Sequence, residues 1–495
     1  MSKCIRYSSF ILGIITSIIF VLFESYNFGV FALIFFFVNN IIYCCENIKN
    51  RIVLFVFHVT IFVFLISRPV IEMFRDSGWY KTYLDDYGKA SLDFSFYSII
   101  ISLLGLFFGG LLAERVQRQR TENQIRTSAA LKQEKKQEFS TEFRNNIRKI
   151  SLIIFYISMS ATLLLELEKL WFMRGRDYVE YYTSFVSQAP YLIHLIASFM
   201  KFSLCIYLAS LPKKEESYVP LGLYLLSAFP SLLIGIRNPI MQNGIFIVLY
   251  FFLRDVLGDK KKWLGKIEKT VIAVGLPFVL IFMGMYSSIR AHTANAVHGI
   301  GNLLVSFFYG QGVTFQVLNI GYGCIDQLPV RSFRNYTFGG VIDYFAHGTF
   351  AQLFFGARPL DNTNSIENAL YSNNFSHNMS YIAKGEDYLN GQGWGSSYIL
   401  ETYVDFGYIG VAIFSILMAV LLVFIVKMMK KIIFLRMIGL LILTQVFFVP
   451  RAEATGFLNF LFQMQFWAAV AVCFMGAALC CKKYEFVQKK EESNV

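Results

Sequence analysis

The sequence predicts an all-α protein that crosses a membrane about twelve times. Three observations predict it. The chain of 495 residues is 56% hydrophobic. Only 16% of it is charged, where a soluble domain carries roughly 25%. Its apolar residues gather into runs of about 18–22, long enough for a helix to cross the hydrocarbon of a bilayer. The net charge of +12 needs no nucleic-acid partner, because most basic residues fall where a membrane protein keeps them.

Taken in order, the expected spans are Ser8–Phe23, Phe28–Cys45, Ile52–Glu72, Asp93–Ala113, Ile150–Met173, Ala189–Leu211, Tyr218–Ile236, Pro239–Leu257, Thr270–Ile289, Ser396–Val426, Ile432–Val449 and Gly456–Cys481. The first follows a basic stretch, as a signal peptide would, but no small-residue cleavage site follows it. It reads as an anchor. The chain then divides into a four-span bundle (1–113), a basic loop (114–149), a five-span bundle (150–289), a large loop (290–395), a three-span bundle (396–481) and a tail (482–495).

Lysine and arginine set the expected orientation. With both termini in the cytoplasm, the inner segments hold 30 of the 45 basic residues. Ten of those 30 are arginine, but so are ten of the remaining 15. Lysine is the topology signal. Arginine is what stays outside, and it needs another reason. The loop Glu114–Lys149 is basic but carries few aromatic rings for stacking bases, so it reads as a helix or hairpin against anionic lipid. Only Cys324 lies in an outer loop, so no outer disulfide framework forms within one chain. No cysteine or histidine cluster suggests a metal.

The loop 290–395 is the one large outer segment. It carries His292, His298, His347 and His377. Leu303–Ile320 and Val341–Phe355 are semi-apolar but interrupted by polar residues. They read as short amphipathic or re-entrant helices on the outer face. Earlier, Glu166, Glu168 and Lys169 sit in the outer third of a span, where charge needs a partner.

The stretch Gly391–Gly410, G-Q-G-W-G-S-S-Y-I-L-E-T-Y-V-D-F-G-Y-I-G, is the centre of the expected site. Its glycines open a tight turn, and Ser396 or Ser397 suits the N-cap of a helix. No strand precedes it, so it is no nucleotide loop. At helical spacing Tyr398, Glu401, Thr402 and Asp405 share one face. Arginines reach the outer side on several segments: Arg174 and Arg176, Arg237, Arg290, the large loop, and Arg451. A guanidinium binds phosphate oxygens bidentately and stays charged. Such a set suits a lipid-linked pyrophosphate, with Ser396 and Tyr398 beside it. Sugar transfer from that donor also needs a proton acceptor for the attacking hydroxyl. Glu401 is the first candidate, Asp405 the second and His377 the third. An ion pair from Glu401 to an arginine is an equally good reading.

The pattern G-x-G-W-G-S-S-Y-I-L-E-x-Y-x-D-F-G-Y-I-G, with I-G-I-R-N-P between two earlier spans, resembles the Wzy-type polymerases of bacterial O-antigen and capsule synthesis. The resemblance implies a multi-pass protein of the bacterial cytoplasmic membrane. It implies an undecaprenyl-pyrophosphate-linked oligosaccharide as donor, a lipid-linked repeat unit as acceptor, and no metal, nucleotide sugar or other cofactor. Membrane lipids, a flippase and a chain-length regulator are the expected partners, and nucleic acid is not. The related O-antigen ligases share the layout but carry a His-rich motif that Ser376-His377-Asn378 only partly echoes. A ligase-like transferase and a flippase or exporter of lipid-linked oligosaccharide are the competing readings. A flippase would carry its polar residues at mid-depth; here they collect at the outer mouth.

Overall fold

The structure, a computed structural model, describes residues 2–128, 141–176, 180–181, 184–258, 261–290, 299–361 and 363–492. Every regular element among them is helical. Apolar residues in lipid leave the backbone no water to bond, and a helix satisfies each peptide group within its own segment. His292 and His298 lie outside the described residues.

The helices in order are α1 (Ser2–Phe23), α2 (Tyr26–Glu46), α3 (Ile48–Ile61), α4 (Ser67–Arg75), α5 (Tyr80–Ser128), α6 (Thr141–Phe172), α7 (Tyr191–Ser198), α8 (Met200–Ala209), α9 (Lys214–Leu226), α10 (Phe229–Ile234), α11 (Asn238–Leu257) and α12 (Lys266–Arg290). The large loop then holds α13 (Ile300–Gln311), α14 (Thr314–Gly323), α15 (Gly339–His347), α16 (Thr349–Phe355), α17 (Ile366–Tyr371), α18 (Phe375–Lys384) and α19 (Glu386–Leu389). Last come α20 (Tyr398–Met428), α21 (Ile433–Leu443), two 3-10 turns (Val446–Arg451 and Gly456–Phe462) and α22 (Met464–Glu492). A π-helical turn, Phe62–Ile66, joins α3 to α4.

Among the described residues, thirteen segments are long and apolar enough to cross a membrane. Twelve correspond to the expected spans. The thirteenth, Gly301–Gly323, covers the Leu303–Ile320 stretch and is two helices broken after Gln311.

The chain folds as two compact units, each drawn from segments distant in sequence. The first comprises Met1–Arg120, Lys266–Val426 and Val446–Phe457. Its core is aromatic, with Phe20, Phe36, Tyr43, Phe57 and Phe94 buried. Small residues let α5 close on α20. A Cβ at Gly109 would stand 2.4 Å from the Ile416 carbonyl oxygen, and one at Gly105 2.8 Å from the Ser415 Cβ. Glycines four apart place both on one face, the usual device for close helix approach in membranes. One end of this unit holds the ion pairs Arg6–Glu46 at 3.4 Å and Arg51–Glu114 at 2.6 Å. At the other end α4 and α12 finish and α5 and α20 begin.

Gly301–Gly323 both starts and finishes at that second end. Leu303 packs on Gly284 near the finish of α12. The Phe308 carbonyl accepts the Ser67 hydroxyl at 3.0 Å. Phe315 packs on Trp79, Tyr83 and Phe96, and Tyr322 stacks on Phe94 with ring centroids 4.8 Å apart. Its length would let it cross; its neighbours are those of a segment that turns back.

The second unit comprises Thr121–Gly265, Lys427–Gln445 and Leu458–Val495. In it Glu166 has the partners its depth demands: Lys169 Nζ at 2.5 Å and the Ser231 hydroxyl at 2.8 Å. Glu168 accepts the Ser187 hydroxyl and the Gln188 N–H, each at 2.5 Å.

Candidate active site

The turn before α20 builds the centre of the site in the first unit. Ser397 is the cap, its Oγ accepting the Ile399 N–H at 3.3 Å. Ser396 does something else: its hydroxyl donates to Glu401 Oε1 at 2.6 Å. Glu401 Oε2 accepts the Ala454 N–H at 2.7 Å. The Glu401 side chain is 0% exposed. A buried carboxylate is tolerable only when donors surround it. Here the donors are a hydroxyl and an amide rather than an arginine.

Asp405 lies one turn further on. Its Oδ2 accepts the Thr337 N–H at 2.6 Å and the Thr337 hydroxyl at 2.7 Å. Thr455 in turn donates to the Thr337 carbonyl at 2.6 Å. Glu401 and Asp405 thus bind three segments together: the start of α20, the turn around 451–457, and the turn before α15. The shared helical face does not converge on one point. The Tyr398 hydroxyl bonds Ser102 and Ser415 inside the bundle, and Thr402 donates to the Tyr398 carbonyl at 2.6 Å. The start of α20 is surrounded by protein, so its polar residues find different neighbours.

Helix α18 brings His377 to the same end. Asn374 caps it, accepting the Ser376 N–H at 2.9 Å, and its side-chain amide donates to Glu453 Oε1 at 2.8 Å. The Ser376 hydroxyl donates to the Trp394 carbonyl at 2.5 Å. His377 Nδ1 lies 2.8 Å from the Tyr388 hydroxyl, which is 3.3 Å from the Ser365 carbonyl. That hydroxyl also accepts the Ser365 N–H at 3.3 Å; in the tautomer where it donates to the Ser365 carbonyl and accepts the Nδ1 proton, Nε2 keeps its lone pair. Nε2 has no hydrogen-bond partner among the described residues. Burial holds the His377 pKa below its ordinary value and pushes Tyr388 up to about 12.

Other polar residues of the large loop hold its shape. Arg331 donates to the Tyr371 carbonyl, to the Ser372 carbonyl at 2.7 Å and to Asn378 Oδ1 at 3.1 Å. Asp343 accepts the Asn373 N–H at 2.8 Å and its side-chain amide at 2.9 Å. Burial raises the Asp343 pKa despite these donors.

Arginines also gather here, though not only the expected ones. Arg451 Nη1 donates to Gln311 Oε1 at 2.7 Å. Arg290 is the last residue of α12. Two more lie on α4. Arg68 bonds Glu72 Oε1 at 3.2 Å and the Tyr309 hydroxyl at 3.0 Å, and Arg75 stands 5.1 Å from the centre of the Tyr309 ring. The sequence held a signal for Arg68: a charge within an apolar run asks for a partner or a role. Arg174, Arg176 and Arg237 belong to the second unit. Arg174 and Arg176 are exposed, Arg176 lying 4.1 Å from the Phe172 ring centre and 3.9 Å from Glu180. Arg237 is half-buried directly before α11.

The first unit therefore offers a neutral imidazole with an open nitrogen, carboxylates fixed by protein donors, and guanidiniums that can hold an anion. The carboxylates of Glu401, Asp405 and Glu453 each accept from a different segment, and no three metal-ligating side chains gather among the described residues. No curated protein and no solved structure matches the chain. A family model described as O-antigen polysaccharide polymerase Wzy matches residues 5–484. That match runs through the helical bundle, the large loop and the site alike, and the chain belongs to the Wzy family of O-antigen polysaccharide polymerases, membrane proteins that join oligosaccharide repeat units.

Proposed function

We propose that the protein transfers a growing glycan from an undecaprenyl-pyrophosphate carrier onto the next lipid-linked repeat unit, at the outer face of the bacterial cytoplasmic membrane. The observation that carries this reading is His377: a half-buried imidazole, oriented by Tyr388, with one nitrogen open at the polar end of the first unit. The acceptor hydroxyl attacks the anomeric carbon of the donor. The new C–O bond forms as the bond to the pyrophosphate breaks, and the pyrophosphate leaves with the electron pair. The hydroxyl proton passes to His377 Nε2. Arg290 and Arg451, with Arg68 and Arg75, stabilise the leaving charge.

Glu401 and Asp405, first and second candidates from sequence, take supporting roles in this reading. Both oxygens of Glu401 are engaged, so a substrate hydroxyl reaches it only by displacing a donor. It holds the turn that carries Arg451 and Glu453. Asp405 holds Thr337. Arg174, Arg176 and Arg237, which belong to the second unit, remain proposed phosphate-binding residues by their chemistry alone, and Ser396 acts through Glu401. The reaction needs no metal or cofactor in this scheme. Lysine distribution supports cytoplasmic termini, and an even number of crossings follows if Gly301–Gly323 turns back. A flippase and a chain-length regulator are natural partners of the cycle.

The test uses purified protein in lipid with lipid-linked repeat units as its one substrate. The expected product is a ladder of longer lipid-linked chains, formed with a chelator present and without nucleotide. Repeat units that cross vesicle membranes without lengthening would refute the proposal.

A further inference from the structure

The large loop ends one of its sides in an apolar edge that the site does not use. Helices α15 and α16 form a hairpin, closed at His347, whose Nδ1 lies 2.9 Å from the Arg358 carbonyl. On it Phe345 is 62% exposed, Phe350 69%, Leu353 76%, Phe354 68% and Phe355 80%. Phe350 and Phe354 pack against each other, ring centroids 4.4 Å apart and planes tilted by 38°. Single exposed apolar residues are ordinary, but five large ones on one short hairpin form a patch that water does not favour.

The root of the hairpin tells its depth. Thr337, two residues before α15, bonds Asp405. Just past Asp405, α20 breaks at Gly407 (φ 64°, ψ −163°). From Tyr408 to Met428 the helix is roughly 30 Å long at 1.5 Å per residue, about the thickness of bilayer hydrocarbon. The break therefore marks where α20 enters the membrane, and Asp405 and Thr337 lie at that level. Phe406 and Ile409, beside the break, are exposed on α20 as lipid-facing residues are. A hairpin rooted there with a bare aromatic edge meets lipid before it meets water.

We propose that the α15–α16 hairpin inserts its Phe350–Phe355 edge into the hydrocarbon of the outer leaflet. The hairpin is a membrane anchor for the loop that carries the site. Asp343 passes that constraint on, since it grips Asn373 beside the cap of α18. The anchor holds His377 at a set height above the bilayer, the height of a lipid-borne pyrophosphate. A glycan occupant fits less well, because a sugar surface interleaves polar acceptors with its rings, and this edge offers only Gln352.

Depth-dependent quenching tests this without catalytic turnover, so it stands or falls separately from the polymerase reading. The exposed cysteines Cys4, Cys45 and Cys480 are changed to serine in the full chain. Phe354→Cys or Leu353→Cys then carries an environment-sensitive nitrobenzoxadiazole dye. Asp361→Cys, at an exposed polar position of the same loop, serves as reference. In bilayers of phosphatidylethanolamine and phosphatidylglycerol brominated along the acyl chains, the dye at 353 or 354 should be quenched at least twofold more than at 361. Emission at 353 and 354 as weakly quenched as at 361 would overturn the proposal, whether water, glycan or protein covers the edge.

Discussion

At the scale of residues, Glu401 and His377 divide the work that either could do. Glu401→Gln preserves both of its hydrogen bonds, because the amide oxygen accepts from Ala454 and the amide nitrogen donates to Ser396, whose hydroxyl can turn. We expect near-natural folded amount and chain length from it. Glu401→Ala leaves a buried N–H without a partner, a cost of about 1–3 kcal/mol, and loosens the turn carrying Arg451. Thermal stability and product length, measured on one preparation, separate the two. A well-folded Glu401→Gln that makes no chains would return the proton to the carboxylate. His377 makes a prediction about pH. Its folded pKa is depressed by burial, so its contribution to stability is complete above the ordinary value of about 6.5 and is lost as pH falls through the lower folded value. The same depression keeps the imidazole neutral in mild acid. Chain growth should persist below pH of about 6.5 and decline only further down; a midpoint at or above the ordinary value would contradict the assignment.

At the scale of elements, the break in α20 joins site to membrane. Gly407 occupies a region of backbone space that is essentially closed to other residues. Gly407→Ala should cost roughly 1–3 kcal/mol and disturb the Asp405–Thr337 contact, seen as a lower melting temperature in detergent with shortened products. Unchanged stability would mean the break is incidental. A second prediction concerns Gly301–Gly323. Cysteines placed at Gly299 and Asp326, before and after it, should react with an impermeant thiol reagent from the same side of the membrane. Reaction from opposite sides would make it a true crossing. Much of the helical, multi-span architecture was legible, because apolar runs are local signals. The helices of the large loop were legible as amphipathic pieces. The site was legible only in part. Gly391–Gly410 announced itself by its glycines and acids, but the partners that define its geometry, Ala454 for Glu401 and Thr337 for Asp405, lie 53 and 68 residues away. Arg68 stood out as a charge in an apolar run, but its partner Tyr309 lies 241 residues on. Such pairings belong to tertiary structure and leave no periodicity to read.

At the scale of the whole molecule, the chain of the Wzy family folds as two helical units, and the first carries arginine, fixed carboxylates and an oriented imidazole at one end. The topology that lysine suggests puts this end outside and both termini inside; labelling of a C-terminal cysteine tag in intact cells would overturn it. The two units share the expected arginines between them, Arg290 and Arg451 in one, Arg174, Arg176 and Arg237 in the other. Arg→Lys at Arg237 or Arg290 keeps the charge but loses the bidentate fork. Most activity should be lost at either, whereas Arg120→Lys, on the side that lysine placement suggests is cytoplasmic, should change little. Bond formation in this mechanism depends on His377, and single-turnover kinetics can show it. His377→Gln is purified into lipid beside the natural protein, its folded amount is matched, and single-turnover elongation of lipid-linked repeat units is timed. His377→Gln should fold and bind substrate normally, with elongation slowed by roughly 10²–10⁴-fold; elongation at the natural rate from the folded variant would rule out His377 as the base.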